Sequence, residues 1–326
     1  MSAARRRLVG GLDLGGTKIQ AVVLDGRRNV LGQARSPTPE TGGPQDVVLG
    51  LVSTLSSACA DAGIEGTDLS GVGVGSPGAI DQRRGVVTGA GNLPGEGAPI
   101  PIATGMKTLA DVRVHVENDV TVGVNAEYVM GAGRRSKSLL GVWWGTGVGG
   151  GLILNGKPWE GRGAAGELGH IVVKIGGAPC TCGRRGCLEA YAGRGAMEIR
   201  ARRLHKRGRK TDLFKIMEKR GRPRLTSGVW ARALESGDDL AEELVERALG
   251  ALGAGVASAV NLLDVETVVI GGGLGTRLGE HYVERIREEM QPHLFVDERP
   301  PRVTLAQLGD LGGAIGAALV VPKPGA

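Results

Sequence analysis

Three of the four cysteines, Cys180, Cys182 and Cys187, fall within eight residues, and His170 stands ten positions before the first of them. One imidazole and three thiolates complete a tetrahedral zinc shell and leave no position open, so this spacing predicts a structural metal rather than a catalytic one. Gly183 and Gly186 let the backbone turn successive sulfurs toward one point. Other readings compete. A chance cluster of small buried residues sits badly with three cysteines in eight positions of a cysteine-poor chain. A disulfide would leave an odd thiol and belongs to an exported chain. A zinc module for nucleic acid pairs two knuckles with basic and aromatic residues, whereas here the acid Glu189 follows. Glu167, three residues before His170, adds a carboxylate to the same loop. A metal-pinned polar surface of this kind suits a hydroxyl-rich ligand.

A second group is Asp13, Gly15, Gly16, Thr17 and Lys18, between apolar runs at 8–14 and 19–24, with Asp25-Gly26 closing a hairpin onto 30–34. Gly-Thr-Lys in such a turn offers N–H groups, a hydroxyl and an ammonium to phosphate oxygens, and Asp13 is placed to hold a hydrated Mg²⁺. Tight hairpins also use glycine with no ligand at all. The pattern recurs, however: 139–144, then Gly145, Thr146 and Gly147, then 152–154 and Asn155-Gly156. Two such units about 130 residues apart point to an internal duplication with one phosphate-binding hairpin in each half. A third turn, Gly271, Gly272 and Gly273, lies between a strand at 268–270 and a helix at 278–290. That order lets a nucleotide lie against a helix start.

Asp119 closes the run Glu117-Asn118-Asp119 between a strand at 112–116 and a helix at 120–130. It reads either as a helix cap with no function or as a general base kept ionised by the helix dipole, at some cost in basicity. Asn92, in the glycine-rich loop 89–97, can donate to and accept from a sugar hydroxyl, or simply form an Asx-turn. Cys59 shares one face of a helix at 46–62 with Leu49, Val52 and Leu55, which predicts a small core residue.

The elements that must carry these groups alternate strand and helix, as in an α/β protein. The last of them are a long core helix at 238–263, a strand at 303–305 and a small-residue helix at 312–321. The chain of 326 residues is long enough for two domains, and 41% hydrophobic with 23% charged residues is ordinary for a globular enzyme. The 58 glycines follow no triplet period, which points to many tight turns and excludes a fibre. The net charge of +6 is local: residues 194–224 hold 13 basic and three acidic side chains, and the remainder of the chain is negative. Phe214 is the one aromatic in that segment, so it reads as a solvated helical face or insertion and no nucleic-acid partner is expected. Arg5, Arg6 and Arg7 imitate the start of an export signal, but Asp13 interrupts the apolar run that follows. No run approaches 18 apolar residues, so no membrane partner and a cytoplasmic, reducing location are expected.

With these pieces placed, the chain resembles the ROK family of sugar kinases, and within it the bacterial glucokinases, from Leu8 to about Leu319. The resemblance is carried by DLGGTK from Asp13, SPG from Ser76, GNLP from Gly91, END from Glu117, GTGVGGG from Gly145, AGELGH from Ala165, CTCGRRGCLE from Cys180 and GGG from Gly271. It implies a two-lobed actin-like ATPase fold with ribonuclease H-like halves and a zinc-stabilised loop in the second lobe. The lobes expected are 1–118, with 308–326 returning to it, and 119–307.

The resemblance also implies an ATP-dependent hexose kinase with Mg²⁺ and structural Zn²⁺. Asp119 is then the base that takes a proton from the sugar hydroxyl attacking the γ-phosphate. Asn92, Asn118, Glu167, His170 and Glu189 bind the sugar, and His170 faces both zinc and sugar. Asp13 stands on the Mg²⁺ side, Gly15, Gly16, Thr17, Lys18, Gly145, Thr146 and Gly147 meet the phosphates, and Gly271–Gly273 meet the adenosine end. Glucose is the first acceptor; N-acetylmannosamine, N-acetylglucosamine and fructose are alternatives, as is a sugar-sensing protein without catalysis. A sugar-sensing repressor would need a helix-turn-helix ahead of the first hairpin, and 12 residues precede Asp13. A dimer or tetramer is implied. Three positions on the sugar side depart from the family pattern: Val120-Thr121 after END, Glu96 after GNLPG, and a missing serine in EAYAG at 189–193.

Overall fold

The computed structural model describes residues 7–90, 93–95 and 97–323. In chain order the elements are β1 (Leu8–Leu14), β2 (Lys18–Leu24), β3 (Val30–Pro37), α1 (Pro44–Asp61), β4 (Leu69–Ser76), β5 (Ala79–Asp81), β6 (Val86–Thr88), α2 (Ile102–Ala110), β7 (Val114–Asn118) and α3 (Asp119–Val129). Then follow β8 (Leu139–Trp144), β9 (Val148–Leu154), β10 (Lys157–Pro158), α4 (Glu189–Ala192), α5 (Arg194–Lys206), α6 (Leu213–Lys219), α7 (Ser227–Glu235), α8 (Asp239–Leu263), β11 (Thr267–Gly271), α9 (Gly272–Leu278), α10 (Glu280–Met290), β12 (Arg302–Leu305) and α11 (Gly312–Leu319).

These elements form two compact units, Met1–Gly131 with Gln307–Ala326, and Ala132–Ala306. Each is built on a five-stranded sheet, and the two sheets share one topology: β3-β2-β1-β4-β7 in the first and β10-β9-β8-β11-β12 in the second. In both, a hairpin supplies the antiparallel strands and two further strands add in parallel. This is the ribonuclease H-like half of an actin-like ATPase, present twice, and the two glycine turns join equivalent strands, β1 to β2 and β8 to β9. The family resemblance implies a second lobe that opens at Asp119. The structure keeps α3 in the first unit, where it packs on α11 and β4.

The helix α11 explains that placement. Its sequence, GGAIGAAL, presents almost no side-chain bulk, so its backbone lies directly on the sheet and on α3. A Cβ on Gly73 of β4 would fall 1.7 Å from the Ala317 carbonyl oxygen, and one on Gly316 would fall 1.9 Å from that of Val122. Such distances admit no side chain, which is why glycine stands at these contacts. In the second unit the long helix α8 buries Leu240, Leu244, Ala248, Leu252 and Val256 along one face and packs on α10 and α4. The sequence predicts a helix at 278–290 after the third glycine turn. Helix in fact begins at Gly272 and breaks at Gly279, whose φ of +78° suits a residue without Cβ. The basic segment forms α5 and α6, which bury Met197, Glu198, Ala201 and Leu213. Among the described residues no helix is long and apolar enough to cross a membrane.

Candidate active site

In the first unit, the β1–β2 turn is fixed from both sides. Gly15 N–H donates to Lys18 O at 2.9 Å, and the Thr38 hydroxyl donates to Gly15 O at 2.6 Å. The Lys18 ammonium meets Asp310 at 3.1 Å. Asp13, the penultimate residue of β1, packs against the first turn of α11, where a Cβ on Gly313 would lie 2.5 Å from its carboxyl carbon. Burial pushes the Asp13 carboxyl up to about 7; the negative charges of Asp119 and Asp310 add to the shift and Lys18 opposes it. A buried carboxylate under the charge of Asp119, with the Lys18–Asp310 pair acting on it as well, suits the outer shell of a hydrated divalent cation.

A carboxyl whose folded pKa is raised binds its proton more tightly in the fold than in the unfolded chain. Its contribution to stability is therefore present below the usual 3.8 and lost as pH rises through about 7. Melting without divalent cations should show the parent chain losing stability between about pH 4 and 7 and levelling off above, while Asp13→Asn stays level and exceeds the parent by on the order of 4 kcal/mol at pH 8. Parallel losses in the two proteins would contradict it.

Asp119 opens α3 at the end of β7. The cap of this helix is Asn118, whose Oδ1 accepts from the N–H groups of Val120 at 3.0 Å and Thr121 at 3.2 Å. Asn118 therefore holds the N-cap position, and Asp119 is the first residue of the helix. Asp119 Oδ1 accepts from Val120 N–H at 2.9 Å. Burial nevertheless raises its pKa, outweighing this hydrogen bond, so Asp119 is a stronger base than its place at a helix start alone implies. Glu117 holds the same corner through Asn118 N–H at 2.7 Å and Gln82 Nε2 at 2.6 Å. Asn92 lies outside the described residues.

In the second unit, His170, Cys180, Cys182 and Cys187 present four ligand atoms within 4.8 Å of one another. Cys182 Sγ lies 3.7 Å from Cys187 Sγ, and Cys180 Sγ lies 3.8 Å from His170 Nδ1. The edge of a tetrahedron with Zn–S bonds near 2.3 Å is about 3.8 Å, so the set is compatible with a structural zinc. It is too open for a disulfide. The loop folds as its glycines require, with Gly183 and Gly186 both at φ +85°. The Arg184 N–H holds the Cys182 thiol down at about 6, while burial pushes Cys187 up to about 11. Cys59 is buried in the first unit, apart from this cluster.

His170 turns its other ring nitrogen, Nε2, toward Glu167, 3.9 Å away. Glu189 joins the metal-type loop to the second glycine hairpin: it accepts from the Val148 N–H at 2.9 Å and from the Thr181 hydroxyl at 3.2 Å. A Cβ on Gly147 would lie 2.1 Å from its carboxylate. The β8–β9 turn closes through Gly145 N–H to Gly147 O at 3.0 Å. The third glycine turn lies beside it, with Gly145 facing Gly273 N and Gly272, at φ +80°, pressed against the Trp144 backbone. The structure thus gathers Gly145–Gly147 and Gly271–Gly273 with Glu189, Glu167, His170 and the cysteines in the second unit. Asp13, the turn 15–18, Asn118 and Asp119 gather in the first.

Four residues that position these groups were not singled out from sequence. Thr38 and Asp310 act on the first turn from far along the chain and carry no local signal. Gly313 was visible only as part of a small-residue helix. Arg194, whose Nη2 donates to the Thr146 hydroxyl at 2.7 Å, was counted only as one charge of the basic run.

The model of the ROK family matches residues 9–323, and the chain belongs to that family. A glucokinase of Thermotoga maritima is 31% identical over 318 residues, covering 96% of each chain. An N-acetyl-D-glucosamine kinase of Pectobacterium atrosepticum is 33% identical over 322 residues, covering 95% of this chain and 97% of the relative. Among solved structures, a ROK family glucokinase from Streptomyces griseus in complex with glucose and AMPPNP superimposes with a TM-score of 0.79 at 30% identity, covering 95% of this chain and 98% of that one.

Proposed function

We propose that this chain is an ATP-dependent hexose kinase that phosphorylates the 6-hydroxyl of glucose, with Asp119 as general base. The observation that carries the reading is Asp119 itself: a carboxylate made more basic by burial, at a strand–helix junction whose cap is supplied by its neighbour. Phosphoryl transfer asks mainly for alignment and charge neutralisation, and the attacking hydroxyl gives up its proton late, so a single carboxylate suffices.

Gly15, Gly16, Thr17, Lys18, Gly145, Thr146 and Gly147 take the phosphates in this reading, and Gly271–Gly273 the adenosine end. Asp13 would hold the Mg²⁺, which would supply neutralisation of charge on the transferring phosphoryl group. Asn92, Asn118, Glu167, His170 and Glu189 bind the sugar. Cys180, Cys182, Cys187 and His170 Nδ1 would hold a zinc, which would fix the imidazole and leave Nε2 free for the sugar. A cytoplasmic location keeps the thiolates reduced. The similarity to an N-acetyl-D-glucosamine kinase supports that sugar as the second acceptor.

A panel of glucose, N-acetylglucosamine, N-acetylmannosamine and fructose in a coupled ADP-release assay tests the acceptor. The highest kcat/KM is expected with glucose. A preference of tenfold or more for an N-acetylated sugar, about 1.4 kcal/mol, would replace glucose by that sugar.

A further inference from the structure

Arg194 opens α5 and lies across the second glycine turn. Its N–H donates to Gly145 O at 3.1 Å, and the next residue, Gly195, donates to Thr146 O at 2.9 Å. Its guanidinium adds Nη2 to the Thr146 hydroxyl at 2.7 Å and Nη1 to the Leu225 carbonyl at 2.7 Å. Both side-chain acceptors are neutral, and Arg194 makes no ion pair among the described residues. Glu198, one turn along, is already engaged by Arg202 and by the Leu225 N–H. Arg194 Nε is buried without a partner. Glu198 and Arg224 reach Arg194 only through space and with opposite signs, and a partly buried cation whose direct partners are all neutral gains from an anion that completes its surroundings.

The contact with Thr146 has a chemical consequence. A hydroxyl carries one proton and two lone pairs. The guanidinium occupies a lone pair, so the Thr146 O–H must point its proton elsewhere, and the positive charge makes it a stronger donor. A phosphoryl oxygen is the acceptor that suits it.

We propose that Arg194 is a positioning residue for the phosphoryl donor: it holds the Thr146 hydroxyl as a donor to the β,γ-phosphates and adds its own charge beside them. This gives the basic run at 194–224 a specific role at its first residue. The inference rests on the kinase reading of the same turn.

Titration calorimetry with Mg-AMPPNP and with AMP tests it without requiring turnover. Arg194→Ala should weaken AMPPNP about tenfold or more and AMP by no more than about twofold. Thr146→Val should do the same. Because both act on one contact, the double variant should lose little more than the worse single one. Arg194→Lys should fall between the parent and Arg194→Ala. Equal AMPPNP affinity in Arg194→Ala, equal losses for AMPPNP and AMP, or additive losses would overturn the assignment. Should Arg194→Ala fail to fold, Thr146→Val carries the test alone, and unchanged AMPPNP affinity overturns it. A parent chain that binds no AMPPNP would overturn the kinase reading and this assignment together.

Discussion

Asp119→Asn should lower kcat about a thousandfold while the dissociation constants for glucose and AMPPNP stay within about threefold of the parent. General-base catalysis is worth roughly 10²–10⁴, and removing it affects a step that occurs only in the transition state. Asn keeps the shape and one oxygen, so the Val120 N–H that Asp119 now engages retains an acceptor. Because burial raises the pKa of Asp119, its charge is held at a cost, and the Asn variant should be at least as stable as the parent at pH 8. The same shift sets the pH dependence. The base works deprotonated, so activity is present above its pKa and lost below it. The acid limb of kcat/KM should therefore lie above the ordinary carboxylate value of 3.8, and the variant's residual activity should lack it. Steady-state kinetics across pH, with calorimetric binding of both ligands, checks these outcomes. Near-parental turnover would end the assignment.

The second large effect concerns the Cys/His loop. Cys182→Ala should lose one zinc per chain and about 3–5 kcal/mol of stability, a fall in Tm of roughly 10 °C for a unit of this size. The tip that carries Cys180 and Cys182 closes through short-range turns such as Cys180 N–H to Arg184 O and Gly183 N–H to Cys180 O, while Leu188 N–H to Ile171 O and Val173 N–H to Gly186 O anchor its base. Three thiolates this close repel one another unless a cation lies between them. Loss of the metal should also raise the KM for the sugar, because His170 and the Glu189–Val148 tie belong to the same segment. Metal analysis with thermal melting decides it. Unchanged zinc content and Tm in Cys182→Ala would remove the ligand from the set.

Much of this was legible in the chain because its signals are local. Asn155-Gly156 announced its hairpin, and both residues take positive φ, 52° and 75°. The run 139–144 is β8, and the periodic apolar residues of 238–263 became α8 almost to the residue. Two glycine hairpins in register with two Asx-Gly turns pointed to the duplication that the matching strand orders display. The rest depended on contacts between distant segments. β5 and β6 are three-residue strands with no alternation to read, and α2 lies in a stretch with glycine at its centre. The basicity of Asp119 was underestimated because the helix start is local and visible, while desolvation comes from the packing of other elements around it. The turn at 15–18 depends on Thr38 and Asp310, and no spacing rule connects those residues to it.

An ATP-dependent hexose kinase moves the terminal phosphate of ATP onto a hexose hydroxyl. Phosphorus NMR of the chain with Mg-ATP and glucose tests for this transfer directly. ADP and a sugar 6-phosphate ester appearing one for one is the expected result. Release of free phosphate without ester, or intact ATP with every hexose supplied, would contradict it.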